Sequence, residues 1–104
     1  MFEPDVVLPE QFFNKLRARV AGQGEKRLMT AVLEDAVHCI QAYINKTGRR
    51  EGRLYEEALE WVDSDDDFWS FAFVNVCHAL DLNPGYIRDG VHEWIENRKA
   101  QRSA

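Results

Sequence analysis

Two His–Cys pairs are the first residues in this chain whose side chains could do chemistry. His38 precedes Cys39, and Cys77 precedes His78. Imidazole nitrogens and thiolate sulfurs are common zinc ligands, but adjacent residues on a helix point about 100° apart, so neither pair can chelate an ion alone. Both cysteines also follow the apolar spacing of their segments, where a free cysteine behaves as a small buried hydrophobe. We therefore predict two core cysteines and no metal site.

The acidic run DSDDD at residues 63–67 has acids at alternate positions, as a calcium loop does. A calcium loop also needs a glycine at its sixth position and a closing glutamate, and here Val74 stands where that glutamate should be. We interpret the run as a helix cap, with Ser64 and Asp67 opening the next helix, or as a short turn leading into it. It is also a candidate contact for a basic partner.

No residues with the spacing of a catalytic centre are found. Ser70 has no His–acid pair near it in sequence, and no glycine-rich phosphate loop is present. His38 and His92 fall on polar faces of predicted helices, where histidines are usually solvated. We predict a protein that is not an enzyme, with no catalytic residue and no cofactor.

The charge of the chain differs between its two halves. The chain has 104 residues, 45% of them apolar, a length and composition that fit one folded domain. Its net charge is −5. Residues 1–53 contain nine Lys and Arg and seven Asp and Glu, so this half is slightly basic. Residues 54–104 contain four Lys and Arg and eleven Asp and Glu, so this half is acidic. Nucleic-acid binders concentrate positive charge where they meet phosphate, so the acidic second half disfavours a nucleic-acid partner.

Several features indicate a cytoplasmic protein without membrane association. The start MFEPDVVLPE is acidic and lacks a basic end followed by an apolar run, so we expect no secretion signal. Two cysteines do not make a disulfide framework, and the longest apolar run, residues 71–74, is too short for a bilayer. We expect one helical domain over residues 1–104, with an extended lead-in at 1–8 and a frayed tail at 99–104.

The apolar spacing predicts an all-α fold, a compact five-helix bundle. The second segment, EKRLMTAVLEDAVHCIQAYINK, has the widest apolar stripe and is expected to be the central helix. Gly48 is interpreted as its C-terminal cap, followed by a turn GRREG. The predicted helices cover roughly residues 9–21, 25–46, 53–64, 67–80 and 84–98.

Residues 67–98 are expected to form a helix-turn-helix-like corner. Asn83 as N-cap and Pro84 as first helical residue specify the start of the last helix. Residues 73–92 resemble the helix-turn-helix units that read DNA, in a small residue at the crossing and apolar residues around the turn (Cys77, Leu80, Leu82 and Ile87). Asp81 stands where these units usually have glycine, although aspartate tolerates a left-handed conformation. Gly90 replaces an expected apolar residue and suggests a close packing contact or a bend.

The resemblance implies that the last helix could enter a DNA groove. Arg88 could then contact a guanine edge, but Asp89, Glu93 and Glu96 would face the phosphates with the wrong sign. The longer string WVDSDDDFWSFAFVNVCHALDLNPGYIRDG is similar to segments of a family of small uncharacterised bacterial proteins, a resemblance that implies no activity. We therefore interpret the corner as structural and keep a DNA-binding transcriptional regulator as the alternative.

Surplus aromatic residues favour a protein-interaction or regulatory module. Two-residue steps turn a helix by about 200°, so the rings at 69, 71 and 73 cannot all face one core, and exposed aromatic residues commonly mark interfaces. The predicted surface for a protein partner or for self-association consists of Trp69, Phe71, Asp65 and Asp66. The candidate contacts for phosphate or an acidic partner are Arg49, Arg50, Arg53 and Arg88.

Overall fold

A computed structural model describes residues 10–103, and its first two helices form a hairpin. Helix α1 spans Glu10–Arg19 and helix α2 spans Gly24–Tyr43. Gly22 has a φ of 82°, a left-handed conformation that glycine adopts without steric cost, and this lets the chain reverse between the helices. The predicted break at this point is confirmed, whereas the predicted lead-in at 1–8 lies outside the described residues.

Helix α3 spans Arg49–Asp63 and begins earlier than the sequence pattern indicates. Gly48 has φ −66° and ψ 150°, so it is the extended N-cap of α3. The prediction that Gly48 caps the end of α2 was wrong, because such a cap needs a positive φ. The predicted turn GRREG was wrong as well: residues 49–52 form the first turn of α3.

Helix α4 is short, spanning Phe73–Ala79, and its predicted start at Asp67 was wrong. The Ser64 hydroxyl accepts a hydrogen bond from the amide of Asp66 at 3.1 Å, and the Asp66 carboxylate accepts one from the amide of Phe68 at 2.9 Å. Such local bonds offer the backbone an alternative to the helix. The acidic run therefore forms a turn, the other interpretation that the sequence left open.

Helix α5 spans Pro84–Ser103 and begins as predicted. The Asn83 side chain accepts a hydrogen bond from the Tyr86 amide at 3.1 Å, which satisfies one of the free donors of the first turn. Asp81 has a φ of 60°, so an aspartate does occupy the left-handed position of the turn. Gly90 is buried within a helix that continues to Ser103, past the point where fraying was expected.

The five helices of residues 10–103 form an all-α bundle in which α2 is central, packing against α1, α3 and α4. Leu80 and Ile87 are buried at the α4–α5 corner, and the Arg19 guanidinium donates to the Leu80 carbonyl, which ties α1 to that corner. The largest side chains with almost no exposure are Phe73, Leu33, Ile40, Leu80, Ile87, Val62 and Val76. The predicted five-helix bundle is therefore confirmed.

Candidate functional site

The connection between α3 and α4, residues 64–72, is here called the acidic–aromatic segment. It has no helical structure, yet side chains from both flanking helices hold its backbone. Trp61 on α3 donates its indole N–H to the Phe71 carbonyl at 3.0 Å. Asn75 on α4 donates to the carbonyls of Asp67 and Trp69, both at 2.8 Å. The segment is therefore fixed near both ends of its aromatic part.

The structure brings the four predicted partner-surface residues together on this segment, but it exposes them unequally. Trp69 is 60% exposed, whereas Phe71 is half-buried against the core. The two ring centroids lie 6.0 Å apart. Asp65 and Asp66 are exposed. The surface is thus acidic with one prominent indole.

Phe68 is a further exposed aromatic residue that was not among the predicted surface residues. It is 95% exposed, more than any other large apolar side chain of the described residues. It lies in the non-helical part of the chain between α3 and α4. The signal available in the sequence was the acidic run directly before it.

Three of the predicted basic contacts lie at the start of α3 rather than in a loop. Arg49, Arg50 and Arg53 are exposed, and among the described residues they take part in no ion pair. Arginines at a helix N-terminus face the positive end of the helix dipole, an arrangement that slightly disfavours the helix. They form a small basic surface at the end of α3 opposite to the acidic–aromatic segment.

Arg88, the fourth predicted basic contact, points toward α3. Its guanidinium donates to the carbonyl of Val62 at 2.9 Å and to that of Ser64 at 3.1 Å, and it forms an ion pair with Asp65 at 3.1 Å. It also lies 5.2 Å from the centroid of the Phe73 ring. Contact with DNA would require these bonds to break.

The outward face of α5 is acidic. Asp89, Glu93 and Glu96 are exposed, together with Tyr86. His92 is within 2.6 Å of the Asp63 carboxylate, so its ring contacts α3. If α5 entered a DNA groove with this face, these three carboxylates would meet the phosphate backbone with like charge.

The two cysteines occupy different environments. Cys77 is fully buried, as predicted, and burial raises the pKa of its thiol to about 12, although the nearby Arg88 acts in the opposite direction. Cys39 is half-buried and lies outside the buried core, so the prediction that it is a core cysteine was wrong. Burial, with a smaller contribution from Asp35, raises the pKa of its thiol as well. Within residues 10–103, no three His, Cys, Asp or Glu side chains are grouped as metal ligands.

The raised pKa of Cys77 predicts a loss of stability at high pH. The unfolded thiol ionises near pH 9, whereas the folded thiol stays protonated to about pH 12. The stabilising effect is therefore complete below pH 9 and falls by about 1.4 kcal/mol per pH unit above it. Urea unfolding at pH 8 to 11 should show a steeper decline for the wild type than for Cys77→Ala. Parallel declines would contradict this prediction.

Comparison with known protein families, curated proteins and solved structures finds no match to this chain. Among residues 10–103, every helix is too short or too polar to cross a lipid bilayer.

Proposed function

We propose that this chain is a non-enzymatic protein-interaction module, acting in a regulatory role, and that the acidic–aromatic segment is its contact surface. The observation that carries the proposal is the exposure of Phe68, at 95%, and Trp69, at 60%, next to one another in the chain. Burying such rings against a partner removes a large apolar area from water, and aromatic residues are enriched at interface centres.

The charge around these rings supports a basic partner. Asp65, Asp66 and Asp67 precede them directly and are exposed. On α3, Glu56 and Glu60 are also exposed, and they line one open surface depression together with Asp63 and Ser64. Complementary charge around an apolar centre speeds encounter with the right partner and disfavours acidic ones. A basic protein surface with an apolar centre is therefore the partner that this segment favours.

The proposal predicts that partner binding depends on Phe68 and Trp69. Chemical cross-linking in the native cell should join the wild-type chain to a partner with a basic contact surface. The double variant Phe68→Ala, Trp69→Ala should lose most of this product, because truncation of central aromatic residues costs an interface about 2 kcal/mol or more each. Tyr86→Ala removes a ring of α5 that is 61% exposed, about as much as Trp69, and serves as the matched control.

The cross-linking result can contradict the proposal in two ways. A product that is equally abundant with the double variant places the contact elsewhere, and the same loss with Tyr86→Ala indicates a nonspecific effect of removing aromatic residues. A product of two copies of this chain, together with a dimer in gel filtration, identifies the partner as a second copy, and the dependence on Phe68 and Trp69 must still hold.

A DNA-binding regulator is the second candidate, favoured by the α4–α5 corner with its left-handed Asp81 and its Asn83 cap. The inward Arg88 and the acidic face of α5 oppose it. A mobility-shift titration with mixed-sequence DNA at low and moderate salt tests it, because binding through several phosphates weakens steeply with salt. Binding at low salt that is lost on replacing Arg49, Arg50 and Arg53 would favour DNA over a protein partner.

A further inference from the structure

A groove of about 260 Å³ lies between α2 and α3, next to the acidic–aromatic segment. From α2 it is lined by Val32, Asp35, Ala36 and Cys39. These residues follow the spacing i, i+3, i+4, i+7, which places them on one helix face over two turns. The groove is therefore about 10 Å long on this side, from the rise of 1.5 Å per residue.

Helix α3 contributes the opposite wall with the same spacing, through Leu54, Glu57, Ala58 and Trp61. Trp69, from the acidic–aromatic segment, lies at the edge. One face of α2 and one face of α3 thus form the two walls of the groove, and the Trp69 indole borders its opening.

The volume of the groove limits what it can hold. Pockets for drug-sized ligands span about 300–1,000 Å³, and this groove lies below that range. A single long side chain fits it better than a complete small-molecule ligand or a helix.

The charge of the groove favours a positively charged side chain. Its charged lining residues within the described chain are both carboxylates, those of Asp35 and Glu57, and both residues are exposed at the rim. The raised pKa of the Cys39 thiol, to which burial contributes most and Asp35 adds, agrees with a negative potential in the groove. A cation in the groove could pair with both carboxylates, neither of which takes part in an ion pair among the described residues.

The two tryptophans favour arginine over lysine as that cation. A guanidinium is planar, stacks on aromatic rings and pairs with a carboxylate through two N–H groups, whereas an ammonium is a strongly hydrated point charge. This chain already uses such stacking: the Arg98 guanidinium lies 5.1 Å from the centroid of the Trp94 ring. Trp69, which is 60% exposed at the edge of the groove, offers the same kind of contact to an arginine that enters from outside.

We infer that the α2–α3 groove binds an arginine side chain of a basic partner peptide, paired with Asp35 and Glu57 and stacked on Trp69. This inference rests on the proposed function, and it names the chemical group that the partner inserts beside the acidic–aromatic segment. The aliphatic part of the arginine covers the apolar floor, as long basic side chains commonly do.

The test uses ¹⁵N-labelled full-length protein and the probe peptide acetyl-Leu-Arg-Leu-Arg-amide. Amide chemical shifts should change at Asp35, Cys39 and Glu57 as the peptide is added. A peptide with citrulline in place of both arginines keeps the shape and removes the charge, and it should bind at least about tenfold more weakly, since charge-assisted bonds are about twice as strong as neutral ones. Equal shifts with both peptides, or shifts confined to other surfaces, would overturn the inference.

Variants then test the individual contacts. Glu57→Gln and Trp69→Ala should each raise the dissociation constant of the arginine peptide by about two- to fivefold, given the usual strength of exposed ion pairs and cation–π contacts. Glu93→Gln removes an exposed carboxylate from α5 and should leave it unchanged. Cys39 offers a second readout: its reaction with DTNB should slow when the peptide is bound, while the fully buried Cys77 serves as an internal control for unfolding.

The inference and the proposed function can fail separately. If Glu57→Gln and Asp35→Asn leave the cellular cross-link intact and no probe peptide binds, the groove is not the arginine site, although a dependence of the cross-link on Phe68 would still support the interaction module. If the peptide binds in the groove and no cross-linked partner depends on Phe68 or Trp69, the groove binds arginine and the acidic–aromatic segment is not the contact surface.

Discussion

Replacement of Phe73 by alanine is expected to lower the free energy of unfolding by about 3–5 kcal/mol, the usual cost of removing a buried phenylalanine. The Phe73 ring is fully buried at the first turn of α4. It packs edge-to-face against Trp61, with centroids 5.4 Å apart and planes at 82°. Because small domains have only about 5–15 kcal/mol of stability, this loss is a large part of the total. Guanidinium unfolding followed by circular dichroism measures it.

Phe68→Ala is the matched control for this prediction. It removes the same side chain five residues earlier, but Phe68 is 95% exposed, so the change should stay within about 0.5 kcal/mol of zero. If Phe73→Ala does not fold, Phe73→Leu provides a milder version of the same test. Equal effects at positions 68 and 73 would contradict the assignment of one ring to the core and the other to the surface.

Replacement of Arg88 by alanine is expected to cost about 2–4 kcal/mol, because hydrogen bonds from a charged group are worth roughly 1.5–3 kcal/mol each. Arg88 donates to two backbone carbonyls at the end of α3, those of Val62 and Ser64. The last four carbonyls of a helix have no partner within it, so Arg88 replaces water at a helix end that is partly covered. The loss would leave the Val62 carbonyl without its side-chain donor.

Two further variants separate these bonds from the surface ion pair. Arg88→Lys keeps the charge but not the fork of donors, so it should recover only part of the lost stability. Asp65→Asn removes the ion pair to a carboxylate that is 88% exposed, and it should have little effect. An Asp65→Asn variant as unstable as Arg88→Ala would show that the ion pair, not the carbonyl bonds, holds α5 to α3.

The number and type of the helices could be predicted from the sequence because each carries a regular apolar spacing. The start of α5 could also be predicted, since Asn83 and Pro84 are adjacent and both favour the start of a helix. The starts of α3 and α4 could not be predicted from the sequence. A glycine such as Gly48 can end one helix or precede the next, and its type alone does not decide between them. The acidic run can form a helix start or a turn, and here its backbone is held by side chains from other elements, in the bonds from Arg88 to Ser64 and from Asn75 to Asp67.

The candidate site could be predicted only in part, for a similar reason. Trp69 was identified because residues 69, 71 and 73 carry more rings than one helix face can bury, and Asp65 and Asp66 because they belong to the acidic run beside it. This argument does not say which ring stays exposed. Phe68 is outside because the segment is not helical. The α2–α3 groove depends on how two neighbouring helices pack and on where Trp69 lies, which the apolar spacing does not give. Arg88 looked like a surface cation because its acceptors, carbonyl oxygens, are not visible in a sequence.

The hydrogen bonds from Trp61 and Asn75 to the acidic–aromatic segment also bear on how quickly and tightly that segment could bind. A flexible loop loses about 1–2 kcal/mol of backbone entropy for each residue that binding orders. In this segment the entropy is already lost when the chain folds, because hydrogen bonds hold the carbonyls of residues 67, 69 and 71 in place. The segment is therefore preorganised for binding, and little of the binding free energy is needed to order it.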